Sequence, residues 1–330
     1  MKEDFVSVII PCRNEEKYIA NCLDSVLLQD FPKEDLEILV VDGASIDGTG
    51  KILQEYSKRY PFVKVLYNEK KFTSISMNLA LKKSKGEIII RLDSHAKYSS
   101  DYISKCVRHL KESGADNVGG VLKSLPVKNT LVAKAIALSL SSPVWHVGAH
   151  FRQDVKSVRE VDTVFCGCYK KTTLQKIGYY NEHLVRSQDI ELNLRLQKMG
   201  GKIMLFPDIV SYYYPKGTFK EFIFHEFRDG IWAVYPLKFT KTFFRIRHYL
   251  PLLLVMIMVL LSVASLFSKP FFYVLFLFTF FYVLAVSFKS LEIALKENKI
   301  VLIPFLLAAF AIRHFVYGAG SLMGLIRLVV

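Results

Sequence analysis

From Leu250 to Phe267 the chain carries no charged residue, and from Pro270 to Phe288 it again carries none. Each stretch approaches the roughly 20 apolar residues a helix needs to cross a bilayer, where every backbone N–H and C=O must be satisfied inside the helix. The back of the chain is therefore read as a membrane domain. A third apolar region, from Ile300 to about Ile326, holds Arg313 and His314 near its middle and several glycines. That pattern leaves open one tilted span, a kinked one, or a re-entrant pair. The expected spans are about 250–268, 270–288 and 300–326.

Lys238, Lys241, Arg245, Arg247 and His248 precede the first stretch, and Lys289, Lys296 and Lys299 lie between the second and third. The positive-inside rule puts both groups on the cytoplasmic side, with a hairpin tip near Ser268-Lys269. The amino end, Met1-Lys2-Glu3-Asp4-Phe5, lacks the charged, apolar, then small-residue order of a signal peptide. Residues 1–235 are thus expected to form a cytoplasmic domain, 236–249 a basic interface segment, and 250–330 a multi-pass domain in the cell membrane. The formal charge of +14 then suits an anionic lipid surface better than nucleic acid. All five cysteines fall in the front domain, and an odd number in a reducing compartment argues against a disulfide framework. Cys166-Gly167-Cys168 looks like half a metal site, but no second pair stands at usable spacing, so buried thiols are expected.

The front domain alternates. Val6 to Ile10, Glu37 to Val41, Val63 to Tyr67 and Glu87 to Leu92 read as strands, separated by helical patterns over Glu15–Leu28, Asp47–Tyr60 and Ser74–Lys83. Such alternation predicts an α/β fold with a mostly parallel, doubly wound sheet. Further on, a helix is expected over Ser100–Lys111, strands over Asn117–Lys123, Val161–Phe165 and Lys202–Phe206, and helices near Thr172–Ile177, over Gln188–Met199 and over Thr218–Tyr235. Pro126 to Asp154 matches no pattern, and there is no internal repeat or low-complexity linker.

Ligands bind such sheets at the carboxyl edge of the strands. Three loops open there: Pro11-Cys12-Arg13-Asn14-Glu15, Asp42-Gly43-Ala44-Ser45-Ile46-Asp47-Gly48, and Asp93-Ser94-His95. A carboxylate at that edge can accept from a nucleobase N–H or a ribose hydroxyl, while Gly43 and Gly48 let a backbone approach. Taken singly, the first two loops read equally as a turn with a helix cap, and an Asp followed by a polar residue after a strand, as in Asp93-Ser94-His95, is more often a turn or cap. No Walker loop and no G-x-G-x-x-G follows the first strand, which speaks against ATPases and dinucleotide enzymes.

Together these loops resemble those of family 2 glycosyltransferases with the GT-A fold. Arg91-Leu92-Asp93-Ser94-His95-Ala96-Lys97-Tyr98, Val161-Asp162-Thr163-Val164, Gln188-Asp189-Ile190-Glu191-Leu192-Asn193-Leu194-Arg195 and Arg247-His248-Tyr249-Leu250-Pro251 resemble the succinoglycan-type, membrane-anchored branch, over nearly the whole chain. The resemblance implies that Asp42 contacts the base of a nucleotide-sugar, with Pro11, Asn14, Glu15 and Asn78 lining the pocket. Asp93 and His95 stand where the family's D-x-D motif holds ribose and a divalent ion. The His in place of the second Asp tilts the ion from Mg²⁺ towards Mn²⁺.

By the same resemblance Asp189 is the candidate general base, at the start of a helix whose dipole favours the ionised form. The family typically has an acidic pair here, whereas this chain has Gln188 before the Asp. Glu191 is the alternative base. Gly167, Gln188 and Glu191 are candidate acceptor contacts. His225-Glu226-Phe227-Arg228-Asp229-Gly230-Ile231-Trp232 resembles a displaced Q-x-x-R-W element, making Arg228 and Trp232 candidate diphosphate or lipid-interface contacts, or simply parts of a surface helix. One base and direct attack invert the anomeric centre. The expected activity is transfer from a nucleotide donor, UDP-linked by expectation, to a polyprenyl-diphosphate-linked or growing glycan. Alternatives are synthesis of a polyprenyl- or dolichyl-phosphate sugar and, outside the enzyme class, a membrane receptor or channel with a nucleotide-binding domain.

Overall fold

Strands β1 (Val6–Cys12) and β2 (Leu36–Asp42) are buried at every position, as expected of strands covered on both faces. The computed structural model describes residues 5–142, 150–153, 155–240 and 243–329. It divides into two units, 1–123 with 149–213 and 124–148 with 214–330. In chain order the remaining elements up to residue 213 are α1 (Ile19–Leu27), α2 (Thr49–Arg59), β3 (Val63–Tyr67), α3 (Thr73–Lys83), β4 (Ile88–Arg91), β5 (Ala96–Tyr98), α4 (Tyr102–Glu112) and β6 (Asn117–Ser124). After these come α5 (Leu131–Ser141, in the second unit), β7 (Arg159–Glu160), β8 (Phe165–Lys170), α6 (Lys171–Ile177), α7 (Gln188–Lys198) and β9 (Ile203–Tyr213).

The sheet runs β3-β2-β1-β4-β8-β6-β9-β5, with β7 beside β9. The first four strands are parallel, as the alternation predicts. From β8 onward the recorded pairs are antiparallel, so the sheet is mixed, in agreement with an α/β GT-A fold whose parallel part is one half. Alternate residues supply the two faces. Val6, Val8 and Ile10 pack with Ile19, Leu23, Leu53 and Tyr102, whereas Ile9, Leu39 and Val41 pack with Met77, Leu81, Leu174 and Leu192.

Three local expectations change. The strand foreseen at Val161–Phe165 lies at Phe165–Lys170 instead. Val161 keeps one backbone bond to β9, its N–H donating to the Ile203 carbonyl at 2.9 Å, Val161 and Val164 bury their side chains, and the small Cys166, Gly167 and Cys168 let β8 fit between β4 and β6. Part of Pro126–Asp154 is helix α5, whose Ala133 N–H is capped by Thr130 Oγ1; residues 143–149 and 154 lie outside the described residues. The strand at Lys202–Phe206 runs on to Tyr213, because β5 pairs with Ser211–Tyr213. That last pairing absorbs two of the three consecutive tyrosines. Gly120 on β6 is required by close approach, since a Cβ there would sit 1.9 Å from the Ile209 carbonyl oxygen.

The second unit contains α8 (Phe219–Val234), α9 (Leu250–Ser265), α10 (Lys269–Lys296), α11 (Ile303–Ala311) and α12 (Tyr317–Val329). Thr218 caps α8: its Oγ1 accepts from the Glu221 N–H at 3.3 Å and donates to Glu221 Oε2 at 2.9 Å. A Cβ on Gly230 of α8 would meet the Tyr317 carbonyl oxygen of α12 at 2.0 Å, so the two backbones touch. Helix α9 has 16 residues, shorter than the stretch read from the sequence. Two helices are long and apolar enough to cross a membrane, Lys269–Lys296 and Ile300–Leu328. The latter is continuous through a π-helical turn at Ile312–Val316, which resolves the third apolar region as one helix. On α10, Phe272, Phe276, Phe281 and Phe288 stand exposed. Lys241 of the basic segment lies outside the described residues.

Glu37, buried in β2, accepts from Ser7 Oγ at 2.7 Å, Lys85 N–H at 2.6 Å and Lys64 Nζ at 2.9 Å. Burial pushes its pKa up, but the three donors outweigh burial and leave it below its ordinary value. A lowered folded-state pKa means stability that is present above the unfolded pKa and lost as pH falls through the folded one. Glu37→Gln should reduce unfolding free energy by about 1–3 kcal/mol at neutral pH, read by denaturant titration of detergent-solubilised protein. The gap from wild type should narrow below about pH 4.

Candidate active site

The parallel strands β1, β2 and β4 end at one edge. Asp42 closes β2, and its Oδ1 accepts from the Ser45 N–H at 3.0 Å and the Ser45 hydroxyl at 2.6 Å. The loop after β1 is sewn to the loop after β2. Asn14 N–H donates to Ser45 Oγ at 2.9 Å, Asn14 Oδ1 accepts from Ile46 N–H at 2.9 Å, and Glu15 N–H donates to Thr49 Oγ1 at 2.8 Å. Asn14 (φ 56°) and Ala44 (φ 55°) hold left-handed backbone, which costs a residue with a Cβ roughly 1–2 kcal/mol. Two further such residues, Cys166 (φ 51°) and Ser187 (φ 59°), occur near Asp189. Strain of this kind is retained where the surroundings over-determine a geometry. Pro11 is buried within β1, opposite Val41.

Asp93 follows β4. Its N–H donates to the Tyr98 hydroxyl oxygen at 2.7 Å, and its carbonyl accepts from the Cys22 thiol at 3.4 Å. His95 Nδ1 lies 3.2 Å from Glu15 Oε1, and the His95 ring stands 5.6 Å from the Tyr213 ring. The structure therefore gathers Glu15 and His95, which the sequence assigned to different tasks. Asp93, His95 and Glu15 offer two carboxylates and an imidazole. An oxygen-and-nitrogen donor set of this kind has the chemistry to take a divalent transition-metal cation, but among the described residues these three do not bring their ligand atoms within 4.8 Å of one another.

The acidic edge registers on the thiols below it. Burial, then Asp42, Glu15 and Asp47, push Cys12 up; burial, then Asp93, Cys12 and Glu15, push Cys22 up. All five cysteines are free and buried, as expected of structural thiols.

At the other end Asp189 sits in the first turn of α7. Its Oδ2 accepts from Arg91 NH1, and the second terminal nitrogen of the same guanidinium lies 3.5 Å from Asp93 Oδ1. Asp189 Oδ1 is buried without a hydrogen bond. Burial pushes the Asp189 pKa up, Arg91 opposes it, and Asp93 adds to it. Arg91 was missed as a site residue. Its signal was one cation inside an otherwise apolar strand, two positions before Asp93.

Three expected contacts serve the scaffold instead. Asn78 spends its amide on the segment before α7: Nδ2 donates to Tyr180 O at 2.9 Å and Glu182 Oε1 at 3.0 Å, and Oδ1 accepts from Tyr180 N–H at 2.9 Å. Gly167 is packed inside β8 against Asn117 and Tyr169. Glu191, 3 % exposed, grips Arg195 with both oxygens, at 2.7 Å to Nε and 2.9 Å to NH2, so it is not poised as a base. Gln188 is buried and its Oε1 has no hydrogen bond, which leaves it available beside Asp189.

Arg228 and Trp232 belong to α8 in the second unit, where Arg228 is exposed and Trp232 meets Tyr235 edge-on at 5.4 Å. On the same helix His225, Glu226 and Asp229 bring ligand-type atoms within 4.8 Å of one another, a set the sequence reading passed over.

Comparison with known proteins bears directly on this edge. Residues 7–170 match the model for glycosyl transferase family 2. The chain is 28% identical, over 98% of both lengths, to a dolichyl N-acetyl-alpha-D-glucosaminyl phosphate 3-beta-D-2,3-diacetamido-2,3-dideoxy-beta-D-glucuronosyltransferase of Methanococcus voltae. It is 26% identical to the succinoglycan biosynthesis protein ExoA of Rhizobium meliloti, over 70% of this chain and 74% of that protein. Among solved structures, the mannosyltransferase PcManGT of Pyrobaculum calidifontis, in complex with GDP-Man and Mn²⁺, superposes with a TM-score of 0.60 at 20% identity, covering 94% of this chain and 86% of that one. That likeness shows the fold. Residues 7–170, about half of the chain, form a glycosyl transferase family 2 domain, and the chain is similar from end to end to one such transferase.

Proposed function

We propose that this glycosyltransferase moves a sugar with inversion from a nucleotide-sugar, taken as UDP-linked, to a lipid-linked glycan on a polyprenyl phosphate or diphosphate. The observation that carries the reading is Asp189. It is a partly buried carboxylate, its side chain 27% exposed, with one oxygen held by Arg91 and the other without a hydrogen bond, joined through Arg91 to the Asp93 end of the donor edge. The acceptor hydroxyl gives its proton to Asp189 as its oxygen attacks the anomeric carbon; the bond to the nucleoside diphosphate breaks, and that group leaves with the electron pair. Asp42 with Ser45 receives the base, Asp93 the ribose and phosphate side. A divalent cation, held by Asp93 and His95 with Glu15 beside them, would neutralise charge on the leaving diphosphate.

The lipid acceptor is supported by the relative from Methanococcus voltae, whose name specifies a dolichyl-linked sugar phosphate, and by the two long apolar helices. In this reading those helices anchor the chain in the cell membrane. The catalytic unit faces the cytoplasm, and the basic residues Lys238, Arg245 and Arg247 meet anionic lipid.

Asp189→Asn should lower transfer by about 10³-fold or more while donor affinity, read by calorimetry with the nucleotide-sugar, stays near wild type. Glu191→Gln should instead lower the melting temperature and leave turnover of the folded fraction intact. Because the base must be ionised and its pKa is raised, turnover should fall towards acid with a midpoint above the ordinary aspartate range. Incubating radiolabelled nucleotide-sugars with membranes containing the protein, with and without Mn²⁺, should place label in the lipid fraction. Product containing a single sugar on polyprenyl phosphate would favour the phosphate-sugar synthase instead. His95→Ala should raise the Mn²⁺ concentration needed for half-maximal rate by about 10-fold or more.

A further inference from the structure

Arg91 has no role in the scheme so far beyond its charge, yet its placement is specific. It is the last residue of β4, opposite Ile9 of β1, and only 9 % exposed. Burying a guanidinium is costly unless carboxylates repay it, and two do so on its two terminal nitrogens. NH1 donates to Asp189 Oδ2 across 98 residues of sequence, while NH2 lies 3.5 Å from Asp93 Oδ1. The other titratable groups acting on Asp189 are Asp93, Tyr180 and, from β8, Tyr169 and Cys166; none of them is a cation.

We infer that Arg91 is the positioning residue of the transfer. By holding Asp189 through Oδ2 it turns the partnerless Oδ1 towards the acceptor hydroxyl, and by sharing the same guanidinium with Asp93 it ties the base to the donor-phosphate side. The inference rests on the assignment of Asp189 as base. A planar fork can grip two carboxylates at once, and a lysine cannot reproduce that grip. Arg91 therefore acts on the orientation of the base rather than on donor binding, and a displacement of the order of 1 Å at such a group costs about 100-fold in rate.

The test is a comparison of wild type, Arg91→Lys, Asp189→Asn and the double variant in detergent or nanodiscs, with melting temperature followed in parallel. Arg91→Lys should keep the donor KM within about threefold and lose about 100-fold in kcat. In the Asp189→Asn background the same change should have no further effect, since residues acting as a unit are not additive. Wild-type kcat in Arg91→Lys, a proportional fall of activity and folded protein, or independent losses in the double variant would each overturn the proposal. Should Arg91→Lys fail to fold, Arg91→Ala supplied with guanidinium at sub-denaturing concentration replaces it. Recovery of kcat is expected, and a folded but unrescued variant counts against the inference. Absence of transfer by wild type, or full turnover by Asp189→Asn, would mark failure of the underlying functional reading instead.

Discussion

Parallel pairing of β1 with β2 and β4 is the constraint on which the rest of the catalytic unit depends. Because Cys12 stands opposite Asp42, and Ile9 opposite Arg91, three chain segments far apart in sequence leave the sheet at one edge. Parallel strands require crossover helices, which cover both faces and make the strands continuously apolar. The edge is then where these strands release polar side chains, Asp42 and Asp93 among them, into the loops. Its acidity is tolerated because the loops supply donors: the Ser45 hydroxyl and N–H to Asp42, and the Glu16 and Thr49 N–H groups to Asp47.

The turn from parallel to antiparallel pairing at β8 decides the other half of the site. With β8 running back beside β4, the chain emerges through α6 and the Tyr180 segment, which Asn78 holds from α3. This delivers Asp189 at the end of β4. Two partly exposed carboxylates, Asp93 and Asp189, then lie on one guanidinium, and their repulsion is relieved by that single cation from β4. Glu191, two residues on, points to Arg195 and helps fix α7 rather than join the chemistry. Two positions on one helix thus separate the proposed base from a carboxylate that serves the scaffold.

The second unit follows different rules. Its helices approach by removing side chains rather than by interlocking large ones, as at Gly230 against Tyr317, where backbone meets backbone. Helix α10 leaves its phenylalanines uncovered, a surface that water would oppose and hydrocarbon would accept. The π-helical turn at Ile312–Val316 carries the polar pair Arg313 and His314 within an otherwise apolar helix, and Arg313 donates to the Ser139 carbonyl near the end of α5. That bond gives a buried charge a partner in place of water.

Much of this was written in local patterns. The four parallel strands, their crossover helices, the three loops of the edge and the long apolar helices all follow from periodicity and residue type, which act over a few residues. Asp42, Asp93 and Asp189 were legible as candidates only through the resemblance to family 2 glycosyltransferases, since a carboxylate after a strand or at a helix start reads equally as a turn or a cap. The sequence could not say that Asn78, Gly167 and Glu191 serve the scaffold, that Glu15 meets His95, or that Arg91 bridges two carboxylates. It also misplaced β8, because small residues between two strands look like a loop until their neighbours are known. Such facts depend on contacts between residues tens of positions apart. Sequence by itself determined which chemistry was on offer at the edge of the sheet; tertiary structure alone decided which side chains face one another there, because a side chain's role is set by the partner that offsets its burial.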